Sequence, residues 1–138
     1  MRRFVIPGQP VGKARARTVS QGGKTHSYTP AKTARYEALV RGVYQNTFPG
    51  AKAATGAVQV AIRAFYAIPK SWTVEKRKKA LAGMIPVLVR PDLDNAAKLI
   101  MDSLNGIAWV DDAQIIWLQA CKEYSITPRV EVEIWGED

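Results

Sequence analysis

Apolar residues recur at helical spacing in two parts of the chain. In the clearest case they lie at i, i+4, i+7 and i+11 ahead of Gly106, a typical residue after a helix end: Leu93, Ala97, Ile100 and Leu104. This spacing predicts a helix over Leu93–Leu104. Ala31–Asn46 shows similar spacing, and Thr73–Ala82 combines helix-forming composition with a strongly basic face. We therefore predict three helices.

Alternating segments rich in β-branched and aromatic residues predict four strands: Arg3–Ile6, Ala57–Ala67, Gln114–Tyr124 and Arg129–Trp135. A short turn separates the last two strands, so we expect them to form a hairpin. The polar segment Gln9–Pro30 has several glycines and no apolar periodicity, which predicts a mobile basic loop. The predicted fold class is α+β, with a small mixed sheet of about four strands and helices packed against it, in a single domain over residues 1–138.

The charge of the chain is high and unevenly distributed. Twenty Lys and Arg residues stand against 12 Asp and Glu residues, a formal net charge of +8. Basic residues predominate in residues 1–41 and 69–90, and acidic residues predominate from residue 91 onward. Two basic segments that flank a carboxylate cluster are typical of a protein that holds a nucleic acid around a metal site. A solubilising surface is the alternative interpretation.

The sequence also favours a particular cellular setting. No apolar run approaches the roughly 20 residues that span a bilayer, and the N-terminal residues lack the pattern of a secretory signal. We therefore expect a cytoplasmic protein without a membrane partner. Cys121 is the only cysteine, and its apolar neighbours favour a place in the core over a role as nucleophile. His26 is the only histidine, and its polar surroundings fit a phosphate contact and surface exposure equally well.

Five of the 12 acidic residues lie within residues 90–112, a stretch that includes the third predicted helix. Asp92 and Asp94 stand at the start of that helix, and Lys98 follows Asp94 by four residues on the same helical face. Asp111 and Asp112 precede the next strand, from which we expect them to fold back over the helix start. Three or four converging carboxylates would bind a hard cation such as Mg²⁺, which activates water and stabilises a leaving oxygen.

Each of these residues also has a purely structural interpretation. Aspartate commonly caps a helix start, an aspartate pair commonly forms a turn, and Asp94 with Lys98 can form an ordinary helical ion pair. The D-x-D-N sequence resembles the opening of a calcium-binding loop, but Ala96 and Ala97 stand where that loop needs a ligand and a glycine. The co-occurrence of all these carboxylates on a basic chain favours the metal centre.

The chain resembles the RusA family of Holliday junction resolvases, in particular its phage and prophage branch. The resemblance rests on R-P-D-L-D-N-A-A-K, D-S-L-N-G and W-V-D-D-A-Q-I, and it extends upstream through G-Q-P-V-G-K-A-R-A-R, Y-T-P and I-P-K-S-W over nearly the whole chain. One departure is A-R-A-R at residues 14–17, where phage relatives often have R-P-R. This departure changes the rigidity expected of the segment, but not its charge.

The resemblance implies a homodimeric, Mg²⁺-dependent crossover junction endodeoxyribonuclease that binds four-way DNA junctions in recombination and repair, with Mn²⁺ as a substitute ion. By position, the essential aspartates of the family correspond to Asp92, Asp94 and Asp112, its catalytic lysine to Lys98, and an acidic neighbour of the metal site to Asp111. We expect the basic segments to contact DNA phosphates through eight residues: Lys13, Arg15, Arg17, Lys24, Lys76, Arg77, Lys79 and Arg90.

Two other functions are compatible with the sequence. One is a non-catalytic DNA-binding accessory protein, and the other is a nuclease for simpler branched, flap or single-stranded DNA. The intact spacing of Asp92, Asp94, Lys98 and Asp112 argues against the accessory protein, because a decayed site has no reason to keep it.

Overall fold

The computed structural model describes residues 1–13, 17–28 and 30–136, and within 17–28 it describes only the side chains of Ser20 and Lys24 besides the two glycines. Nine helices and strands are described, in the order β1 (Arg2–Pro7), β2 (Arg17–Gln21), β3 (Lys24–Tyr28), α1 (Ala31–Thr47), β4 (Val58–Ala67), α2 (Val74–Leu81), α3 (Leu93–Leu104), β5 (Ile115–Ser125) and β6 (Arg129–Gly136). A single 3₁₀ turn, Asp112–Gln114, leads into β5.

The main sheet has four strands in the order β1-β6-β4-β5. β4 and β5 are parallel, whereas β4 with β6 and β1 with β6 are antiparallel. β4 is therefore a central strand, and its alternating residues Val58, Val60 and Ile62 are buried beneath the helices. The predicted α+β class, with a mixed sheet of about four strands and helices packed against it, is confirmed.

α1 and α3 pack on each other and on one face of the sheet. α1 buries Tyr36, Val40 and Tyr44, and α3 buries Leu99 and Ile100 together with neighbouring positions of the same face. The amphipathic spacing in the sequence therefore predicted correctly which faces of α1 and α3 are buried. Within the described residues, no helix combines the length and apolarity needed to cross a membrane.

The other face of the sheet carries charged residues. Glu131 accepts hydrogen bonds or ion pairs from Arg3 and Arg129. Burial alone would raise the pKa of Glu131, but these guanidinium partners outweigh it and lower the pKa. Cys121 is half-buried on this face near Glu123, and burial raises the pKa of its thiol. The predicted core position of Cys121 is therefore wrong.

Two expectations about strands are also wrong. β5 and β6 do not form a hairpin, because β4 lies between them and pairs with both. The arrangement gives β4, the most apolar strand, a partner along each edge. The segment Gln9–Pro30 is not a loop throughout: β2 and β3 pair in register across Gly22-Gly23, whose φ angles of 58° and 76° suit a two-residue hairpin turn. The residues of this hairpin are mostly polar, so the sequence lacks the apolar alternation that would have predicted its two strands.

Candidate active site

The turn before α3 is fixed by the central strand. The hydroxyl of Tyr66, near the end of β4, donates a hydrogen bond to the carbonyl oxygen of Pro91 at 2.6 Å. Burial, together with the nearby negative charge of Asp92, raises the pKa of Tyr66 to about 12. Tyr66 therefore stays protonated at neutral pH and keeps donating to the residue that precedes Asp92.

The segment before residue 14 lies directly against the same turn. A Cβ added to Gly12 would lie 2.8 Å from the Cβ of Pro91, so glycine is needed for this close approach. The amide of Lys13 donates to the carbonyl oxygen of Asn95 at 3.1 Å. Together with Arg90 and Asp92, these residues line an open cleft of about 620 Å³.

The two carboxylates at the start of α3 are exposed. Asp92 occupies the N-cap position, but its side chain makes no capping hydrogen bond within the described residues. Asp94 lies in the first turn, with Lys98 one turn further along and also exposed. Asp94 and Lys98 both belong to the described residues, and their charged groups do not come within 4.0 Å of each other. Neither a cap nor a helical ion pair therefore accounts for these carboxylates.

Asp111 and Asp112 lie at the other end of the sheet. Asp112 Oδ1 accepts a hydrogen bond of 2.7 Å from Nε1 of the buried Trp109. The side-chain amide of Gln114 donates to the carbonyl oxygens of Ala54 and Gly56, each at 2.8 Å, which ties this turn to the residues before β4. The D-D-x-Q motif is thus anchored beside the start of β4, whereas Asp92 lies beside its end.

The distance between these two ends excludes a shared metal ion within one chain. Tyr66 lies eight positions after Val58 in β4, which corresponds to roughly 26 Å of extended strand. In the described part of the chain, no three Asp, Glu, His or Cys side chains come close enough to hold one ion. The expectation that Asp111 and Asp112 fold back over Asp92 and Asp94 is therefore wrong for a single chain.

Two of the predicted DNA-binding residues are engaged within the protein. The Lys13 ammonium lies 3.1 Å from Glu37 of α1 and 3.3 Å from Asp102 of α3. Burial lowers the pKa of Lys13, but hydrogen bonds to these carboxylates outweigh it and raise the pKa. The Arg77 guanidinium donates to carbonyl oxygens of the preceding turn. Their charges therefore link elements of the fold.

Other predicted DNA-binding residues are exposed at the surface: Lys24, Lys76, Lys79 and Arg90. The Lys76 ammonium lies 4.0 Å from the ring centroid of Trp72, which orients it on α2. Arg15 lies outside the described residues, and for Arg17, which begins β2, and for His26 in β3 only the backbone is described. The phosphate-contact role of this set stays a prediction.

Several residues that organise the site were missing from the sequence-based set. Trp109 and Gln114 belong to the W-V-D-D-A-Q motif, so the motif itself carried a signal for both. Gly12 likewise belongs to the G-Q-P-V-G-K-A-R-A-R motif. Tyr66 had no comparable signal, because its role arises from a contact with Pro91 that is distant in sequence.

Comparison with known proteins agrees with the motifs. Residues 7–135 match the family model described as Endodeoxyribonuclease RusA. The chain is 35% identical over 134 residues to the uncharacterized protein YqaN of Bacillus subtilis, and the matched region covers 96% of this chain and 94% of YqaN. It is 44% identical over 46 residues to the crossover junction endodeoxyribonuclease RusA of Lactococcus phage r1t, and this shorter match covers 33% of this chain and 35% of the phage protein. The resemblance inferred from the sequence is confirmed, and this chain belongs to the RusA family of endodeoxyribonucleases.

Proposed function

We propose that this protein is a crossover junction endodeoxyribonuclease that resolves Holliday junctions by paired, symmetric nicks in a Mg²⁺-dependent reaction. The observation that carries the proposal is the pair of exposed carboxylates, Asp92 and Asp94, that no cap or helical ion pair engages, beside a cleft with Arg90 on its wall. The phage relative that matches part of the chain bears the name of this activity.

Asp92 and Asp94 offer the hard oxygen ligands that Mg²⁺ prefers, and Mn²⁺ accepts the same donors. Such an ion supplies an activated water and offsets charge on the leaving oxygen. The remaining roles in the reaction belong to side chains of this protein. Tyr66 holds the turn before Asp92, Lys98 presents a cation toward the scissile phosphate, and Arg90 contacts the neighbouring backbone.

A complete site also needs Asp112, and we infer that a second copy of the chain supplies it. β5 is an edge strand of the described sheet. The first half of β5 exposes Ile116, Trp117 and Leu118, with 67%, 43% and 44% of their surfaces accessible. A long edge strand with exposed apolar residues is a template for pairing with another chain. A two-fold β5 pairing supports the proposed homodimer.

The antiparallel direction of such a pairing would bring the separated carboxylates toward each other. In an antiparallel pairing of two β5 strands, the start of one strand lies beside the end of the other, so the turn that carries Asp112 in the second copy would face the end of β5 that carries Lys122. The Lys122 ammonium donates to the carbonyl oxygen of Val89 at 2.6 Å and lies 4.9 Å from the Tyr66 ring. Asp112 of the second copy would therefore approach the turn that carries Asp92, with Asp111 beside it.

A two-fold dimer with two such composite sites suits a four-way junction, which presents two equivalent strands. Attack by water with the 3′ oxygen as the leaving group gives 5′-phosphate and 3′-hydroxyl ends, so the paired nicks can be ligated.

The test compares a synthetic four-way junction with a matched linear duplex and a flap, with and without Mg²⁺ or Mn²⁺. We expect ion-dependent, symmetric and ligatable nicks in the junction alone, and we expect Asp94→Asn to bind the junction without cutting it. Binding without cleavage by the wild type would favour an accessory protein. Asymmetric cuts, or equal cutting of flap and duplex, would favour a simpler nuclease.

A further inference from the structure

The segment that joins α2 to α3 presents apolar side chains to solvent beside the candidate active site. Val87 points into the core and is 7% exposed, whereas Leu88 is 85% exposed and Val89 is 50% exposed. Burying an exposed leucine against an apolar partner is favourable. Adjacent residues of this kind, left at the surface next to catalytic carboxylates, indicate a ligand with an apolar surface of its own.

The backbone around these side chains is anchored. Val87 packs within the core, Lys122 donates to the carbonyl oxygen of Val89 at 2.6 Å, and Tyr66 donates to that of Pro91 at 2.6 Å. Leu88 therefore projects from a fixed support on both sides.

The position of Leu88 limits what it can contact. Asp92 lies four positions after Leu88, so their Cα atoms lie within about 14 Å of each other. At 3.4 Å per nucleotide along a strand, this distance corresponds to about four nucleotides from the cleaved phosphate. The exposed guanidinium of Arg90 lies between the two positions in sequence. A ligand that offers a phosphate to Arg90 and an apolar face to Leu88 is a nucleic acid with an accessible base.

We propose that Leu88 and Val89 form an apolar wedge that packs against unstacked bases at the branch point, next to the cleaved phosphate. This inference rests on the proposed function and adds the source of its junction selectivity. Apolar side chains that enter a base step must first overcome base stacking, which strongly opposes them in a continuous duplex. A branch point breaks the continuous stack of the exchanging strands, so less stacking is left for the wedge to overcome. The wedge therefore favours cleavage in a junction over cleavage in a linear duplex.

The test uses Leu88→Ser/Val89→Ser, with Met84→Ser as the matched control because Met84 is a 68% exposed residue of the same segment. We expect the double variant to cleave the junction at least tenfold more slowly, with the dissociation constant for the junction changed less than threefold. Unpaired bases placed beside the cut site should restore its rate, because unstacking is then already complete. Met84→Ser should cleave within twofold of the wild type.

A second readout is independent of cleavage. With Asp94→Asn in every protein, 2-aminopurine beside the cut site should brighten when the junction binds, and the Leu88→Ser/Val89→Ser changes should abolish the increase. Wild-type cleavage by the double variant, an unchanged fluorescence increase, or slow cleavage that unpaired bases do not restore would each overturn the wedge. So would conversion of the double variant to a monomer in light scattering, which would assign Leu88 and Val89 to contact between copies. If the wild type cuts no junction, the proposed function is wrong. The fluorescence of the Asp94→Asn proteins then tests the wedge, because it does not depend on cleavage.

Discussion

Gly12→Ala tests whether the segment before residue 14 positions the catalytic turn. The new Cβ would lie 2.8 Å from the Cβ of Pro91, and ordinary contact begins at 3.4 Å, so the two must separate by at least about 0.6 Å. The carbonyl oxygen of Pro91 is also held by Tyr66, so we expect the shift to pass to Asp92. A misplacement near 1 Å can reduce catalysis about 100-fold. We expect a 10- to 100-fold slower cleavage, and a free energy of unfolding lower by about 1–3 kcal/mol.

Single-turnover cleavage of an end-labelled junction and urea denaturation measure the two effects. Gly42→Ala is the matched control, because Gly42 lies inside α1 with open space around its added Cβ. That control should gain about 0.5–1 kcal/mol of stability and cleave normally. If Gly12→Ala cleaves at the wild-type rate with unchanged stability, the close approach to Pro91 does not position Asp92.

Three further changes test the anchoring and charge of the site. Lys13→Met should lower the free energy of unfolding by about 1–3 kcal/mol. Because its two carboxylate partners raise the Lys13 pKa above the ordinary 10.5, the difference should hold below pH 10.5 and shrink at higher pH; a pH-independent difference in urea denaturation would contradict this. Trp109→Phe, which removes the hydrogen bond to Asp112, should raise the Mg²⁺ concentration for half-maximal cleavage about tenfold, and an unchanged Mg²⁺ titration would refute the role. Lys76→Ala/Lys79→Ala should reduce the log-log salt slope of junction binding by up to about 1.8, whereas an unchanged slope would place α2 away from phosphates.

Local pattern predicted the helices well. α3 begins and ends at the predicted residues, because its buried face repeats at helical spacing and Gly106 follows its end. α1 extends one residue beyond the prediction, and α2 is one residue shorter at each end. These elements depend on neighbouring residues, so sequence was sufficient.

Contacts between distant residues were not predictable in the same way. The insertion of β4 between β5 and β6 depends on pairing across more than 50 residues of chain. The position of Asp112 depends on Gln114, whose amide contacts carbonyl groups nearly 60 residues earlier. Motif spacing identified the residues of the candidate site, but it carried no information on which end of the sheet each one occupies.

Subunit complementation tests the composite active site most directly. Asp94→Asn and Asp112→Asn are each expected to be inactive as homodimers. In a heterodimer of the two, one site would contain both changes, and the other would contain neither. After random exchange in an equimolar mixture, half of the dimers are heterodimers, and each of these has one intact site of two. About a quarter of all sites are then intact, so the mixture should nick the junction at about a quarter of the wild-type rate. Activity at that level is the result we predict, and a mixture as inactive as its parents would contradict a site shared between two copies.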